Sequence, residues 1–131
     1  MNTFSLGGLL CVVSGAGLGA TLRWLLSAWN PLLPNLPLGT LAANLIGGFL
    51  VGVAAAYLSV KTNLPSEVRL LVVTGFLGGL TTFSSFSSEV VGLLERSEFA
   101  WAGMTASLHL FGSLALTALG LLITRWALQI A

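Results

Sequence analysis

The sequence is short of charged side chains. Asp, Glu, Lys and Arg together make up 7% of its 131 residues, whereas hydrophobic residues make up 56%. Typical soluble proteins contain about 25% charged residues, and a water-facing surface needs such residues to stay soluble. We therefore predict that most of the surface faces lipid and that the chain is an integral membrane protein.

Other shortages exclude further classes of function. The formal net charge is only +1 and no basic cluster occurs, so nucleic-acid binding is not expected. Cys11 is the only cysteine, which excludes a disulfide within the chain. His109 has no cysteine, aspartate or second histidine beside it to complete a metal site. No nucleophile or acid–base constellation is recognisable, so we do not expect an enzyme.

Four hydrophobic segments are long enough to cross a membrane as helices. A hydrocarbon core of about 30 Å needs about 20 helical residues. The expected spans cover about residues 4–29, 38–60, 68–94 and 100–128. The first segment lacks the basic region and cleavage site of a signal peptide, so it counts as a span. We predict a single all-α domain of four transmembrane helices over residues 1–131.

The positive charges are divided almost evenly between the two sides of the membrane. With four spans, Lys61, Arg69 and Arg125 lie on the side of both termini, and Arg23 and Arg96 lie on the other. Because the distribution of Lys and Arg sets membrane orientation, so small a difference predicts that the chain inserts both ways. We therefore expect dual topology and pairing with an inverted copy of the same chain.

The third segment differs from an ordinary membrane helix. Gly75, Gly78 and Gly79 each lower helix propensity by about 1 kcal/mol, and six hydroxyl residues follow between Thr81 and Ser88. We expect this stretch to unwind, which inside a membrane requires burial in protein or a cavity. Its carbonyl groups suit a cation and its N–H groups an anion. The alternative is that the glycines only allow close helix packing.

Polar and aromatic side chains inside the spans are candidate ion contacts, because polar groups in lipid need partners or water. Asn44 in the second span offers amide donors. Phe83 and Phe86 share a helix face, and the positive edge of an aromatic ring can meet an anion. On the fourth span, polar residues recur every four positions on one face: Thr105, His109, Ser113 and Thr117. Each of these residues also has a packing interpretation, which the sequence leaves open.

Two charged residues lie close to the ends of the spans. Arg23 is near the end of the first span, where it either snorkels to the interface or forms an electropositive vestibule. Glu89 is late in the third span, and we expect it near an edge and in contact with water. The other three spans contain no acidic residue. This absence disfavours a proton-coupled pump or an exporter of organic cations, which normally uses a buried carboxylate.

Three motifs occur in order along most of the chain. They are GLGATLRW at residues 17–24, GTLAANLIG at residues 39–47 and GFLGGLTTFSSF at residues 75–86. In sequence, order and spacing they resemble the CrcB/Fluc family of fluoride channels. The third motif is the most specific of the three.

The resemblance implies an antiparallel, dual-topology homodimer in the bacterial inner membrane, with two narrow pores through which fluoride leaves the cell passively. A structural sodium ion at the dimer interface is also implied, held by backbone carbonyls that match Gly78 and Thr81. The expected partners are fluoride, a second copy of the chain and membrane lipid.

The resemblance also assigns site residues. By similarity, Asn44, Phe83 and Phe86 contact fluoride, and Arg23 matches an arginine at the end of the first helix. Ser113 and Thr117 belong to a hydroxyl track on the fourth helix, in which His109 occupies a further position. Fluoride is strongly hydrated, so amide, hydroxyl and ring-edge donors must replace its water. The choice of fluoride over chloride rests on the resemblance alone.

Two other functions remain as alternatives. A small dual-topology exporter of drugs or organic cations shares the size, the number of spans and the weak charge bias, but it needs a carboxylate in the first span. A membrane scaffold without transport activity would use the glycines only to pack helices and would carry no ion flux.

Overall fold

Ser5 caps the first helix, because its side chain accepts a hydrogen bond of 3.0 Å from the N–H of Gly8. The computed structural model describes residues 4–129, and within them every element is helical. Helix α1 spans Leu6–Leu26 and continues as a 3-10 helix over Ser27–Leu32, which contains Pro31. A proline lacks the N–H that would continue an α-helix, so the chain turns here.

The remaining elements form three more spans. Helix α2 covers Leu38–Val60 and helix α6 covers Phe99–Ala127. Between them, the third span consists of four parts: α3 (Ser66–Arg69), a π-helical segment (Leu70–Leu77), α4 (Gly78–Leu80) and α5 (Phe83–Glu95). The four stretches are long and apolar enough to cross a membrane. The prediction of four membrane helices is confirmed, with differences only at the ends of the spans.

The third span breaks at two residues only. Thr81 and Thr82 have extended backbone, with φ/ψ of −83°/152° and −150°/117°. The expected break near the middle of the third span is confirmed, but it does not extend over the whole glycine and hydroxyl stretch, since Gly78 and the serines after Phe83 are helical. Helix α5 restarts at once because the Thr82 side chain caps it, accepting a 3.1 Å hydrogen bond from the N–H of Ser85.

Two glycines of the third span, Gly75 and Gly79, pack against α1. A Cβ added at Gly75 would lie 2.9 Å from the carbonyl oxygen of Val12, and one at Gly79 would lie 3.0 Å from the Cα of Ala16. On α1, Gly15 and Gly19 make the reciprocal close contacts with backbone of the third span. Small residues thus let the two backbones touch, as is typical of membrane helices.

Helices α2 and α6 run parallel and pack closely. Asn44 contacts His109, Gly48 contacts Ser113 and Gly52 contacts Thr117, so each step of one turn on α2 is matched by one turn on α6. Gly48 and Gly52 are four residues apart, which is the spacing of a close-packing pair of small residues, and a Cβ at either position would meet the backbone of α6.

The surface of the bundle is apolar, while polar groups lie inside. Leu10, Phe111 and Leu122 are 58%, 66% and 61% exposed, as expected for side chains that face lipid. Thr105 is fully buried, and His109 is 4% exposed. The interior between α2, α5 and α6 is therefore where polar chemistry is concentrated.

Candidate functional site

A cavity of about 310 Å³ lies between α2, the break, α5 and α6. Five residues of the predicted fluoride path line it: Asn44, Phe83, Phe86, His109 and Ser113. The break itself contributes Thr81 and Thr82 to the wall. The cavity wall therefore combines an amide, aromatic rings, an imidazole and hydroxyls, without a charged carboxylate or ammonium group among its lining residues.

Asn44 joins α2 to the break and to α6. Its Oδ1 accepts a 2.8 Å hydrogen bond from the N–H of Thr82, and its Nδ2 lies 3.0 Å from the carbonyl oxygen of Thr82. The same Nδ2 lies 3.0 Å from Nδ1 of His109. One side chain thus replaces, for Thr82, both the donor and the acceptor that a continuous helix would supply.

Three rings stand in a row along the cavity. The rings of Phe83 and Phe86 meet edge to face, with centroids 5.5 Å apart and planes at 65°. Phe86 stacks on the imidazole of His109 at 4.7 Å and 26°. Phe83 is 79% exposed and so stands at the rim. Phe83 and Phe86 both line the cavity, and the edge of an aromatic ring carries partial positive charge.

The hydroxyls predicted on α6 have different surroundings. Ser113 lines the cavity. Thr117 lies one turn further along, outside the cavity wall, and its Oγ1 donates a 2.9 Å hydrogen bond to the carbonyl oxygen of Gly48. Its hydroxyl oxygen keeps accepting capacity, while its proton holds α6 to α2.

Arg23 lies away from the cavity wall and close to the break. Its Nε donates a 3.1 Å hydrogen bond to the carbonyl oxygen of Gly79. Arg23 on α1 and Asn44 on α2 therefore hold the third span on either side of Thr81. The predicted role of Arg23 in a vestibule stays a prediction.

The carbonyl groups of Gly78 and Thr81 are among those at the break that have lost their helical partners. In a continuous helix, the N–H of Thr82 would donate to Gly78 and that of Ser85 to Thr81. Here Thr82 donates to Asn44 instead, and Ser85 donates to the Thr82 side chain. The carbonyl oxygens of Gly78 and Thr81 are thus released, and unwound carbonyls suit a sodium ion. Among residues 4–129, no group of three or more His, Cys, Asp and Glu side chains could hold a metal ion.

A second polar cluster, one turn along α2, was missed from the sequence. Thr40 donates a 2.6 Å hydrogen bond to Oε1 of Glu89, and Nδ2 of Asn30 lies 3.4 Å from the Thr40 hydroxyl. Asn30 Oδ1 also accepts hydrogen bonds from the N–H groups of Gly39 and Thr40, at 2.8 and 3.1 Å. Glu89 is therefore half-buried and hydrogen-bonded, although it also borders a cavity of about 240 Å³ near the end of the span.

Two spacings were signals for this cluster. Thr40 precedes Asn44 by four residues and so shares its helix face, and Glu89 follows Phe86 by three. Both residues therefore extend the predicted site by one turn toward the same end of the bundle.

Comparison with known proteins identifies relatives over most of the chain. The family described as "CrcB-like protein, Camphor Resistance (CrcB)" matches residues 10–121. A protein of Burkholderia orbicola (strain MC0-3) named "Fluoride-specific ion channel FluC" is 56% identical over 124 residues, covering 94% of this chain and 97% of the relative. Proteins of the same name from Nitrosospira multiformis and Burkholderia pseudomallei (strain 668) are 52% and 53% identical, over 92% and 89% of this chain and 95% and 92% of the relatives.

These relatives are named as ion channels and not as enzymes. The helices and the relatives together make the chain a multi-pass membrane protein. The resemblance carried by the three sequence motifs is confirmed. Because the family match covers most of the chain and the relatives are more than 50% identical over the aligned residues, the chain belongs to the CrcB family.

Proposed function

We propose that this protein is a fluoride-selective ion channel through which fluoride leaves the cytoplasm passively, so that its toxicity falls. The observation that carries the proposal is the cavity, where aromatic rings and neutral polar groups meet without a fixed charge. A strongly hydrated anion needs such donors to replace its water. A fixed cation in the wall would bind the ion too firmly for it to leave. Relatives named as fluoride-specific channels supply the identity of the ion.

The proposed path runs along the wall residues of the cavity. Fluoride passes the edges of Phe83 and Phe86, then His109 and Ser113, with Thr117 one turn beyond Ser113. Asn44 belongs to the same wall. The path is open to the side at the exposed Phe83 ring, so one chain encloses only part of a pore.

The missing wall is proposed to come from a second copy of the chain. An inverted partner would cover the exposed Phe83 and complete the pore, giving an antiparallel homodimer with two pores. The even split of positive charges supports insertion in both orientations. The proposed location is the inner membrane of a bacterial cell, since the relatives are bacterial.

A sodium ion is proposed at the interface of the dimer, held by the Gly78 and Thr81 carbonyls of both subunits. The ion would supply a positive charge between two sets of carbonyl dipoles. What this chain contributes is the released pair of carbonyls, together with Arg23 and Asn44, which hold the backbone on either side of them.

Ion efflux from liposomes tests the channel. Purified protein is reconstituted into vesicles loaded with potassium fluoride or potassium chloride, and a potassium ionophore carries the counter-charge. We expect rapid fluoride release with chloride retained. Retention of both ions by vesicles that contain folded, dimeric protein would contradict the proposal and leave a membrane scaffold as the remaining function. Uptake of an organic cation by the same vesicles would instead favour an exporter.

The two orientations are tested separately with reporters fused to the C-terminus. Dual topology predicts that reporters active only in the cytoplasm and reporters active only in the periplasm both give signal. Signal from one class alone would contradict insertion both ways.

A further inference from the structure

The hydrogen bonds around Asn44 determine which way its amide points. The backbone N–H of Thr82 can only donate, so the side-chain atom 2.8 Å from it must be the oxygen Oδ1. The nitrogen Nδ2 then faces the carbonyl oxygen of Thr82 and Nδ1 of His109, each at 3.0 Å. An amide nitrogen has two protons. These two partners use both, so Asn44 has no N–H left for an ion.

The same bonds determine where the proton of His109 sits. Because Nδ2 of Asn44 is only a donor, Nδ1 of His109 must accept and carries no proton. The imidazole is then neutral, with its proton on Nε2. Nε2 is buried and has no hydrogen-bond partner among residues 4–129. Of these two side chains, His109 therefore keeps an unused donor and Asn44 does not.

Two other buried polar atoms, Thr105 Oγ1 and Glu89 Oε2, belong to a layer of the bundle one turn from the Asn44–His109 pair. Helical side chains lean toward the N-terminus of their helix, so the His109 ring leans toward Thr105, one turn earlier on the same face. Thr40 precedes Asn44 by one turn in the same way, and it holds Glu89 at 2.6 Å. Thr105 Oγ1 and Glu89 Oε2 are buried and unpartnered within the described chain.

We infer that Asn44 is a positioning residue that holds His109 in its Nε2–H tautomer, and that this N–H is the side-chain donor that receives fluoride between the cavity and the layer of Thr40, Glu89 and Thr105. A buried donor without a partner is costly, and a small anion that accepts its proton removes that cost. Thr105 offers a second hydroxyl donor beside it. The inference rests on the proposed function for the identity of the ion, whereas the tautomer rests on the hydrogen bonds alone.

The tautomer is measured by nuclear magnetic resonance of protein labelled with ¹⁵N in histidine. His109 is the only histidine, so the spectrum reports this ring without assignment. In lipid nanodiscs without fluoride, we expect Nε2 to be protonated and Nδ1 not. A protonated Nδ1 in the unmodified protein would overturn the inference.

Asn44→Asp tests the positioning role. A carboxylate only accepts, so Nδ1 of His109 should become protonated in this variant. Asn63→Asp is the matched control. It makes the same chemical change as Asn44→Asp but away from the ring, because Asn63 is exposed in the turn after α2. We expect the control spectrum to match the unmodified protein. If the His109 ring has the same protonation in Asn44→Asp as in the unmodified protein, Asn44 does not determine the tautomer.

Fluoride titration tests the donor role. Added sodium fluoride should shift the Nε2 nitrogen and its proton more than Nδ1. His109→Phe keeps a ring beside Phe86 without any donor, and we expect its fluoride efflux to fall by about tenfold or more. His109→Gln restores an N–H donor and should recover part of the rate.

The outcomes separate this inference from the channel itself. Rapid fluoride efflux with an Nε2 signal that fluoride does not shift would leave the channel standing and overturn the donor role. No efflux, with the expected tautomer present, would overturn both the channel and the donor role while the Asn44–His109 arrangement stands. Efflux together with a fluoride-dependent Nε2 shift would support the inference.

Discussion

The contact between α2 and α6 predicts a large effect of a single methyl group at Gly52. A Cβ at this position would meet the backbone carbonyl of Thr117 and would lie 2.8 Å from the backbone nitrogen of Leu121. Both neighbours are backbone atoms, so no side-chain rotation relieves the clash. Gly52→Ala therefore forces the two helices apart and strains the 2.9 Å hydrogen bond from Thr117 to Gly48.

The expected magnitude follows from the cost of overpacking. Inserting a methylene-sized group into a well-packed interior costs about 1–3 kcal/mol, which corresponds to a change of about 5–150-fold in the folded-to-unfolded ratio. Alanine also favours the helix by about 1 kcal/mol relative to glycine. Gly17→Ala and Gly103→Ala gain this propensity without a clash, because a Cβ at either position has no neighbour within 4 Å.

The free energy of unfolding is measured in mixed micelles by titration with a denaturing detergent, followed by circular dichroism. We expect Gly52→Ala to be less stable than both controls by about 1–3 kcal/mol. Equal stability of the three variants would refute the reasoning, because it would mean that α2 and α6 do not pack backbone to backbone at this turn.

Two further substitutions test the aromatic and the buried polar contacts. Phe86→Ile keeps apolar bulk but removes the ring edge and the stack on His109, so fluoride efflux should fall by about tenfold or more. The control is Phe111→Ile, on an exposed face, which should keep the normal rate. Equal efflux rates in these two variants would contradict the role of the Phe86 ring. Thr40→Val removes the donor to Glu89 and should lower the free energy of unfolding by about 1–3 kcal/mol. The control is Thr62→Val in the exposed turn. Equal stability of these two variants would show that the hydrogen bond from Thr40 to Glu89 does not stabilise the bundle.

Several features of this protein follow from local sequence. Four apolar stretches determine the four spans, because lipid requires about 20 apolar residues for each crossing helix whatever surrounds it. The glycine pair Gly48 and Gly52 indicated a close helix contact, since only small residues allow backbones to touch. The three motifs were specific enough to identify the family, and they contain half of the residues that line the cavity.

The position of the break in the third span could not be predicted from local sequence. Helix propensity counts each glycine against the helix, yet Gly75, Gly78 and Gly79 all stay helical, and α1 packs closely on Gly75 and Gly79. The chain leaves the helix at Thr81 and Thr82 instead. The deciding interaction is the pair of hydrogen bonds between Asn44 and Thr82, one donated by each residue, which join α2 to the break in the third span.

The sequence by itself determined that the chain crosses a membrane four times, which family it belongs to and which residue types are available to meet an anion. These properties depend on composition and on patterns within single segments. The tertiary structure decided that the amide protons of Asn44 are already used, that the free N–H belongs to His109, and that Glu89 is tied to Thr40. Hydrogen-bond partners depend on how helices far apart in sequence are placed against each other, and no spacing along one helix contains that information.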